Sequence, residues 1–142
     1  NHAFEEVIEY CADAPFRTEA TWIVDDMQQA YINLHEQGYA HSIEVWDQQT
    51  LVGGLYGVAI KGFFSGESMF YTKTNASKVA LAYLGKHLKS IGIEFIDCQL
   101  TNPFLESMGC KEISRDAFIE LKNQQLQISP YPSFWHTKQL VW

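Results

Sequence analysis

Three strand-like segments follow one another in the middle of the chain, and only short turns separate them. Residues 41–46 alternate polar and apolar side chains, and residues 51–60 and 63–71 are mainly apolar. Polar or glycine-containing turns lie between them at residues 47–50 and 61–62. Because strands joined by such short connections run in opposite directions, the pattern predicts an antiparallel meander.

Two interruptions within these segments also constrain the fold. The pair Gly53-Gly54 predicts a β-bulge or the close approach of another backbone, because glycine has no side chain to pack. Further along, Gly66-Glu67-Ser68 is a polar gap within an aromatic strand. Glu67 is either a solvated carboxylate at a bulge or a residue that lines an apolar pocket and binds an amine. The pattern leaves both interpretations open.

Helical periodicity precedes the meander. Apolar residues spaced three and four apart predict a helix over Phe4–Ala12, and residues 14–18 form a break. A second helix is predicted to begin at a cap provided by Asp25 or Asp26 and to end near Gly38. The meander is therefore expected to be covered on at least one face.

Helical periodicity also follows the meander. Asn75 is predicted to cap a helix that ends at Gly92. Its apolar stripe consists of Leu81, Leu84, Leu88 and Ile91. Asn102-Pro103 predicts the start of a short helix, because asparagine is a favourable cap and proline fits the first turn. Residues 114–122 form a further predicted helix, and the tail from Ser129 onward is expected to run irregularly over the surface.

A polar pair stands out in the segment that follows Gly92. Ile93 and Phe95 are typical strand packing residues, and Asp97 and Gln99 follow them two positions apart. In a pleated strand this spacing places both polar side chains on the same face. Burying them is costly unless they form hydrogen bonds, so they are either a structural pair or part of a substrate site. Cys98 is expected on the opposite face as a small core residue.

The order of the elements predicts an α+β fold, with a mostly antiparallel sheet flanked by helices. The acetyltransferase-like (GNAT-type) fold is the commonest architecture with this order, and residues 1–142 suffice for one such domain. That fold normally binds the pyrophosphate of coenzyme A on a glycine-rich loop that enters the helix after the meander. The corresponding residues, 72–78, contain no glycine. We therefore expect an acyl donor other than coenzyme A.

Composition excludes several classes of function. The net charge of −7 argues against broad electrostatic binding of nucleic acid, so any such contact should be local. No apolar run approaches the roughly 20 residues of a membrane span, and no signal peptide is evident. The three cysteines and five histidines lack metal-ligand spacing, which predicts no metal site and favours a reducing cytoplasm. The sequence pattern alone predicts that Trp22 and Trp46 lie in the core.

Several segments together resemble the leucyl/phenylalanyl-tRNA–protein transferase family in order and spacing. They are residues 21–23, 41–46, 51–57, 66–70, 75–78, 96–99, 105–109 and 112–118. The resemblance implies transfer of Leu or Phe from aminoacyl-tRNA to the N-terminal Arg or Lys of a protein. That product would be marked for proteolysis in the N-degron pathway, and no cofactor is implied. The family's catalytic domain is acetyltransferase-like and uses no coenzyme A, which agrees with the expectations above.

The resemblance also implies roles for individual residues. Asp97 and Gln99 match the family's Asp-Cys-Gln, where they would polarise and position the incoming α-amine. Glu67 matches the glutamate near the donor's amino group, and Trp22 matches the tryptophan that stacks on the terminal adenosine. The pocket for an apolar side chain that is unbranched at Cβ would be formed by Leu55, Phe64, Leu81, Leu88 and Ile96.

The family also has an N-terminal domain whose aromatic and basic residues contact the tRNA. No segment of the 142 residues resembles it, so we expect the chain to be the catalytic domain, acting as a cytoplasmic monomer. One alternative is another aminoacyl-tRNA-dependent acyltransferase of the same fold. A second alternative is a non-catalytic acyltransferase-like binding module, which the joint presence of Asp97, Gln99 and Glu67 disfavours.

Overall fold

A computed structural model describes residues 1–14 and 21–142 of the chain, and these residues form helices on both faces of a twisted sheet. The elements are α1 (Phe4–Ala12), α2 (Asp25–Glu36), β1 (Ala40–Asp47), β2 (Thr50–Ile60), β3 (Phe63–Tyr71), α3 (Ala76–Lys89), β4 (Ile96–Asp97), α4 (Pro103–Ser107) and α5 (Arg115–Gln125). Within the predicted break, residues 15–18 lie outside the described residues.

The sheet has the strand order β1-β2-β3-β4. β1, β2 and β3 pair antiparallel, which confirms the predicted meander. β4 joins the other edge of β3 in parallel, because α3 carries the chain back across the sheet before β4 begins. The described residues therefore form the α+β architecture expected from the sequence, which is consistent with an acetyltransferase-like fold.

Gly53 and Gly54 show how the helices are divided between the two faces. A Cβ atom built on Gly53 would lie 2.4 Å from the Cβ of Ala76 in α3. A Cβ atom on Gly54 would instead meet Phe70 at 3.2 Å and Val7 of α1 at 3.5 Å. Since successive strand residues point to opposite faces, α1 and α3 cover opposite faces of the sheet. The predicted close approach at this glycine pair is confirmed.

Each face has its own apolar core. The core under α1 and α2 comprises Phe4, Val7, Ile8, Cys11, Ala12, Ala14, Ile23, Ala40, Leu51, Tyr56 and Phe70. The core under α3 comprises Leu55, Ala59, Phe64, Ala80, Leu84, Leu88, Ile93 and Phe134. Burial of each of the larger side chains contributes about 1.5–3 kcal/mol, so the two cores hold the helices to the sheet.

The helix caps agree with the sequence in part. Asn102 accepts a hydrogen bond from the backbone N–H of Leu105 at 2.8 Å, as predicted for the start of α4. Asn75 occupies the cap position of α3 with a left-handed φ of 68°, but its side chain makes no capping hydrogen bond. At α2 the cap residue is Val24, and Asp25 and Asp26 lie in the first turn, where their charge favours the positive helix end.

The C-terminal tail differs from the expected surface segment. Phe134 is fully buried in the core under α3, and its ring stacks on His87 with centroids 4.0 Å apart. Trp135 stacks on the buried ring of His41, with centroids 4.2 Å apart. The tail is irregular, as predicted, but these two rings fasten it to the body of the domain. In the described part of the chain, no helix is long and apolar enough to span a membrane.

Candidate functional site

The chain leaves β4 immediately after Asp97, which contradicts the prediction that the strand continues to Gln99. Asp97 lies opposite Ser65 in the parallel pairing of β3 with β4. Gln99 then adopts a left-handed φ of 64°, and its backbone N–H donates to Oδ1 of Asp97 at 2.9 Å. A side-chain-to-backbone turn has replaced the pleat, because aspartate readily bonds a backbone N–H two residues ahead.

The side chains of Asp97 and Gln99 nevertheless lie close to each other, and hydrogen bonds with residues of β3 hold them in place. The hydroxyl of Ser65 donates to Oδ2 of Asp97 at 3.4 Å. Nε2 of Gln99 donates to the carbonyl of Gly66 at 3.2 Å and to Oγ of Ser65 at 3.4 Å. Asp97 is half-buried and Gln99 is exposed, so the pair lies at the surface with its hydrogen bonds made.

Glu67 lies at a β-bulge, next to the glycine that Gln99 contacts. Tyr56 pairs with Ser68 and Gly57 pairs with Gly66, so no residue of β2 lies opposite Glu67. A bulge re-aims the extra residue, and here the half-buried carboxylate points towards α2. The bulge agrees with one of the two interpretations left open for Glu67, but the carboxylate is half-buried rather than solvated.

The carboxylate of Glu67 has a specific partner in α2. The hydroxyl of Tyr31 donates to Oε2 of Glu67 at 2.8 Å. Burial, and then the hydrogen bond to Glu67, raise the pKa of the Tyr31 phenol well above its ordinary value. Tyr31 therefore stays a hydrogen-bond donor at neutral pH and fixes the orientation of the carboxylate. Sequence reasoning missed Tyr31 because its partner lies 36 positions away along the chain.

Trp22 extends this arrangement to the surface. Its indole meets the ring of Tyr31 edge to face, with centroids 6.4 Å apart. Trp22 is 46% exposed and Trp46 is 37% exposed, so the prediction that both belong to the core is wrong. Trp22 precedes α2 and lies at the rim of the core rather than beneath it.

The five predicted pocket residues meet in the core under α3, but they are not equally accessible. Leu55, Phe64 and Leu88 are at most 3% exposed, and Leu81 and Ile96 are half-buried against them. Phe64 pairs directly with Ile96 across the strands β3 and β4. The structure therefore gathers these residues into one apolar cluster that reaches the edge of the sheet beside Asp97.

A groove of about 1540 Å³ opens at this edge, between α3 and the segment that carries β4, α4 and α5. Leu81, Leu88 and Ile96 line it together with Asp97 and Gln99. Leu55, Phe64, Glu67 and Trp22 do not line it, because the first two lie beneath its floor and the others belong to the site around Tyr31. Gln99 connects the two regions, since it lines the groove and contacts Gly66 beside Glu67.

The groove carries charged side chains of both signs. Four cationic side chains line it, at Lys86, Lys89, Lys111 and Arg115, and three carboxylates line it as well, at Glu94, Asp97 and Glu112. These are four of the ten lysines and arginines in a chain whose net charge is −7. The charges of the groove therefore nearly balance, so it opposes the approach of an anion less than the acidic chain as a whole does.

Cys98 is not the core residue that the sequence predicted. It is half-buried and lines the groove, because the turn at Gln99 rotates it out of the strand. Burial raises the pKa of its thiol to about 11, and the neighbouring Cys110 contributes in the same direction. At neutral pH the thiol is therefore protonated and a poor nucleophile. Among residues 1–14 and 21–142, no cluster of three His, Cys, Asp or Glu side chains is placed to hold a metal ion.

Comparison with known proteins gives a consistent result. A family model described as leucyl/phenylalanyl-tRNA protein transferase matches residues 1–123. A leucyl/phenylalanyl-tRNA–protein transferase of Colwellia psychrerythraea is 58% identical over 99% of the chain, and the match covers 61% of that relative. One of Shewanella baltica strain OS155 is 48% identical over 99% of the chain and 60% of its own length. The chain thus spans about three fifths of the relatives it matches.

Proposed function

Because the chain belongs to the leucyl/phenylalanyl-tRNA protein transferase family, we propose that it carries the centre that transfers Leu or Phe from aminoacyl-tRNA to a protein's N-terminal Arg or Lys. One observation carries the proposal. Gln99 lies against Gly66, so the Asp97–Gln99 pair and the Glu67–Tyr31 pair occupy adjacent positions on β3. The α-amine of the acceptor protein and the aminoacyl group of the donor can therefore be held side by side.

In the proposed reaction, the acceptor's α-amine attacks the ester carbonyl of the aminoacyl-tRNA. The new amide bond forms as the ester bond to the ribose oxygen breaks, and the proton lost by the amine ends on that ribose oxygen. The carboxamide oxygen of Gln99 accepts a hydrogen bond from the amine, and its role is positioning because a carboxamide is a very weak base. The carboxylate of Asp97 favours the positive charge that develops on the attacking nitrogen.

Glu67 is the proposed contact for the donor's own α-ammonium group. Tyr31 occupies Oε2 of Glu67, which leaves Oε1 for the ligand. The exposed indole of Trp22 is the proposed platform for the terminal adenosine, a contact that stabilises binding by about 1–3 kcal/mol per base. The aminoacyl-adenosine end of the donor would then extend from the surface of α2 to the edge of β3.

The apolar cluster is the proposed site for the donor's side chain. Leu81, Leu88 and Ile96 line the groove with aliphatic carbon, and Leu55 and Phe64 support them from beneath. Such a pocket accepts Leu or Phe and disfavours β-branched Ile and Val by shape, although a single misplaced methyl is worth only about 1–3 kcal/mol. The four cationic side chains of the groove beside it are the proposed contacts for the phosphates of the tRNA end.

The proposal also covers the cellular compartment of the reaction and the fate of its product. A reaction that consumes aminoacyl-tRNA belongs in the cytoplasm, where tRNA is charged. A protein that gains an N-terminal Leu or Phe in this way would enter the N-degron pathway. The active species is proposed to be a monomer without a cofactor.

Transfer of labelled leucine tests the proposal directly. The protein is incubated with labelled Leu-tRNA and either of two peptides that differ only in an N-terminal Arg or Met, and the Colwellia psychrerythraea relative serves as positive control. We expect label on the Arg peptide and none on the Met peptide. Equal labelling of both peptides, or none on either while the relative is active, would contradict the proposal.

A further inference from the structure

The carboxamide of Gln99 has a defined orientation because of its contacts with β3. Nε2 lies 3.2 Å from the carbonyl oxygen of Gly66, an atom that can only accept hydrogen bonds. The reversed carboxamide would place Oε1 against that carbonyl, and two acceptors repel each other. The observed orientation therefore leaves Oε1 of Gln99 on the side away from the strand.

The hydroxyl of Ser65 links this carboxamide to the carboxylate of Asp97. A serine hydroxyl has one proton to donate and two lone pairs with which to accept. Ser65 donates to Oδ2 of Asp97 at 3.4 Å and accepts from Nε2 of Gln99 at 3.4 Å. Its place is set by the backbone, since Ser65 is the residue that pairs with Asp97 between β3 and β4.

The other contacts of the pair do not depend on Ser65. Oδ1 of Asp97 accepts the backbone N–H of Gln99 at 2.9 Å, and Gln99 retains its bond to Gly66. Removal of the Ser65 hydroxyl would therefore leave the turn in place. The change would break the link between the carboxylate and the carboxamide that runs through the Ser65 hydroxyl.

We infer that Ser65 is a positioning residue for the transfer reaction: its hydroxyl holds Asp97 and Gln99 in one arrangement, with Oε1 of Gln99 directed at the incoming amine. The inference rests on the proposed function. Ser65 acts by placing these two side chains relative to each other, so its effect must depend on the presence of Gln99.

A double-mutant cycle tests this dependence. Ser65→Ala is expected to lower kcat for the Arg peptide about 10-fold and to leave KM for Leu-tRNA unchanged, because a small misplacement of a positioning group slows chemistry rather than donor binding. Ser65→Thr, which keeps the hydroxyl, should retain most of the rate. In a Gln99→Ala background, Ser65→Ala should cause almost no further loss.

Matched controls separate the possible outcomes. Ser90→Ala removes a hydroxyl that donates to the carbonyl of His87 at 2.6 Å at the end of α3, and it should leave kcat unchanged. Thermal unfolding of each variant shows whether the fold persists. If Ser65→Ala is fully active, or lowers kcat equally with and without Gln99, the inference is overturned while the proposed function stands. If the unsubstituted protein transfers no leucine, both are overturned.

Discussion

The phenol of Tyr31 in α2 donates a 2.8 Å hydrogen bond to the carboxylate of Glu67, the extra residue of the bulge in β3. The bond joins a helix to the sheet at the point where β3 carries the contacts of Gln99. A carboxylate held by a protonated phenol has one oxygen occupied and one available. This geometry suits the recognition of an ammonium group better than a freely rotating glutamate would.

Tyr31→Phe should therefore weaken binding of the donor. The variant loses a hydrogen bond to a charged group, which contributes about 1.5–3 kcal/mol, and we expect KM for Leu-tRNA to rise about 10-fold. Steady-state kinetics at varied Leu-tRNA measures the change. Tyr39→Phe, at an exposed position outside the site, is the matched control and should behave as the unsubstituted protein does. An unchanged KM in Tyr31→Phe would show that Glu67 needs no fixed orientation.

Substitutions of Asp97 can separate its charge from its role in the turn. Asp97→Asn keeps an oxygen that accepts the backbone N–H of Gln99, so the turn should persist and stability should change little. The negative charge is lost, and we expect transfer to fall about 100-fold, which is the usual scale for one preorganised electrostatic group. Asp97→Ala loses both functions and should also destabilise the turn. Full activity of Asp97→Asn would show that the charge of Asp97 is not needed and that its role is structural only.

Two glycine substitutions should shift stability in opposite directions. Gly53→Ala places a Cβ atom 2.4 Å from that of Ala76, and this overpacking should cost about 1–3 kcal/mol in the free energy of unfolding. Gly85→Ala lies within α3, where a new Cβ atom meets nothing within 4 Å. It should stabilise the helix by up to about 1 kcal/mol. Urea unfolding monitored by circular dichroism measures both, and a stable Gly53→Ala variant would mean that α3 can move away from the sheet.

The buried ring of His41 should make stability depend on pH. Burial, followed by the nearby charge of His35, lowers the pKa of His41 to about 4. The unfolded chain binds this proton below about pH 6.5 and the folded chain does not, so the free energy of unfolding falls as pH drops from 6.5 to 4. The loss approaches about 3 kcal/mol, at 1.36 kcal/mol per pKa unit. Urea titrations across this range should show a shallower slope for His41→Gln, and identical slopes would contradict the assignment.

The local elements followed from the sequence because their causes are local. Periodicities of two and of about 3.6 residues identified the meander and the helices, and Asn102 capped α4 as expected. The glycine pair predicted a bulge or the close approach of another backbone, and the structure shows that α3 makes this approach at Gly53. The periodicities and the cap depend on residues within a few positions of one another, whereas the identity of the helix at Gly53 does not.

The arrangement of the site was decided only by the tertiary structure. The sequence placed Asp97 and Gln99 on one pleated face, but a left-handed turn and the contacts with Ser65 and Gly66 bring them together instead. Likewise, exposure of Trp22 depends on how α2 lies against the sheet. Strand register and helix placement select partners from distant parts of the chain, and a bulge of one residue redirects a side chain. The sequence by itself therefore determined which elements form and which chemical groups are present, whereas only the packing of those elements decided which groups meet.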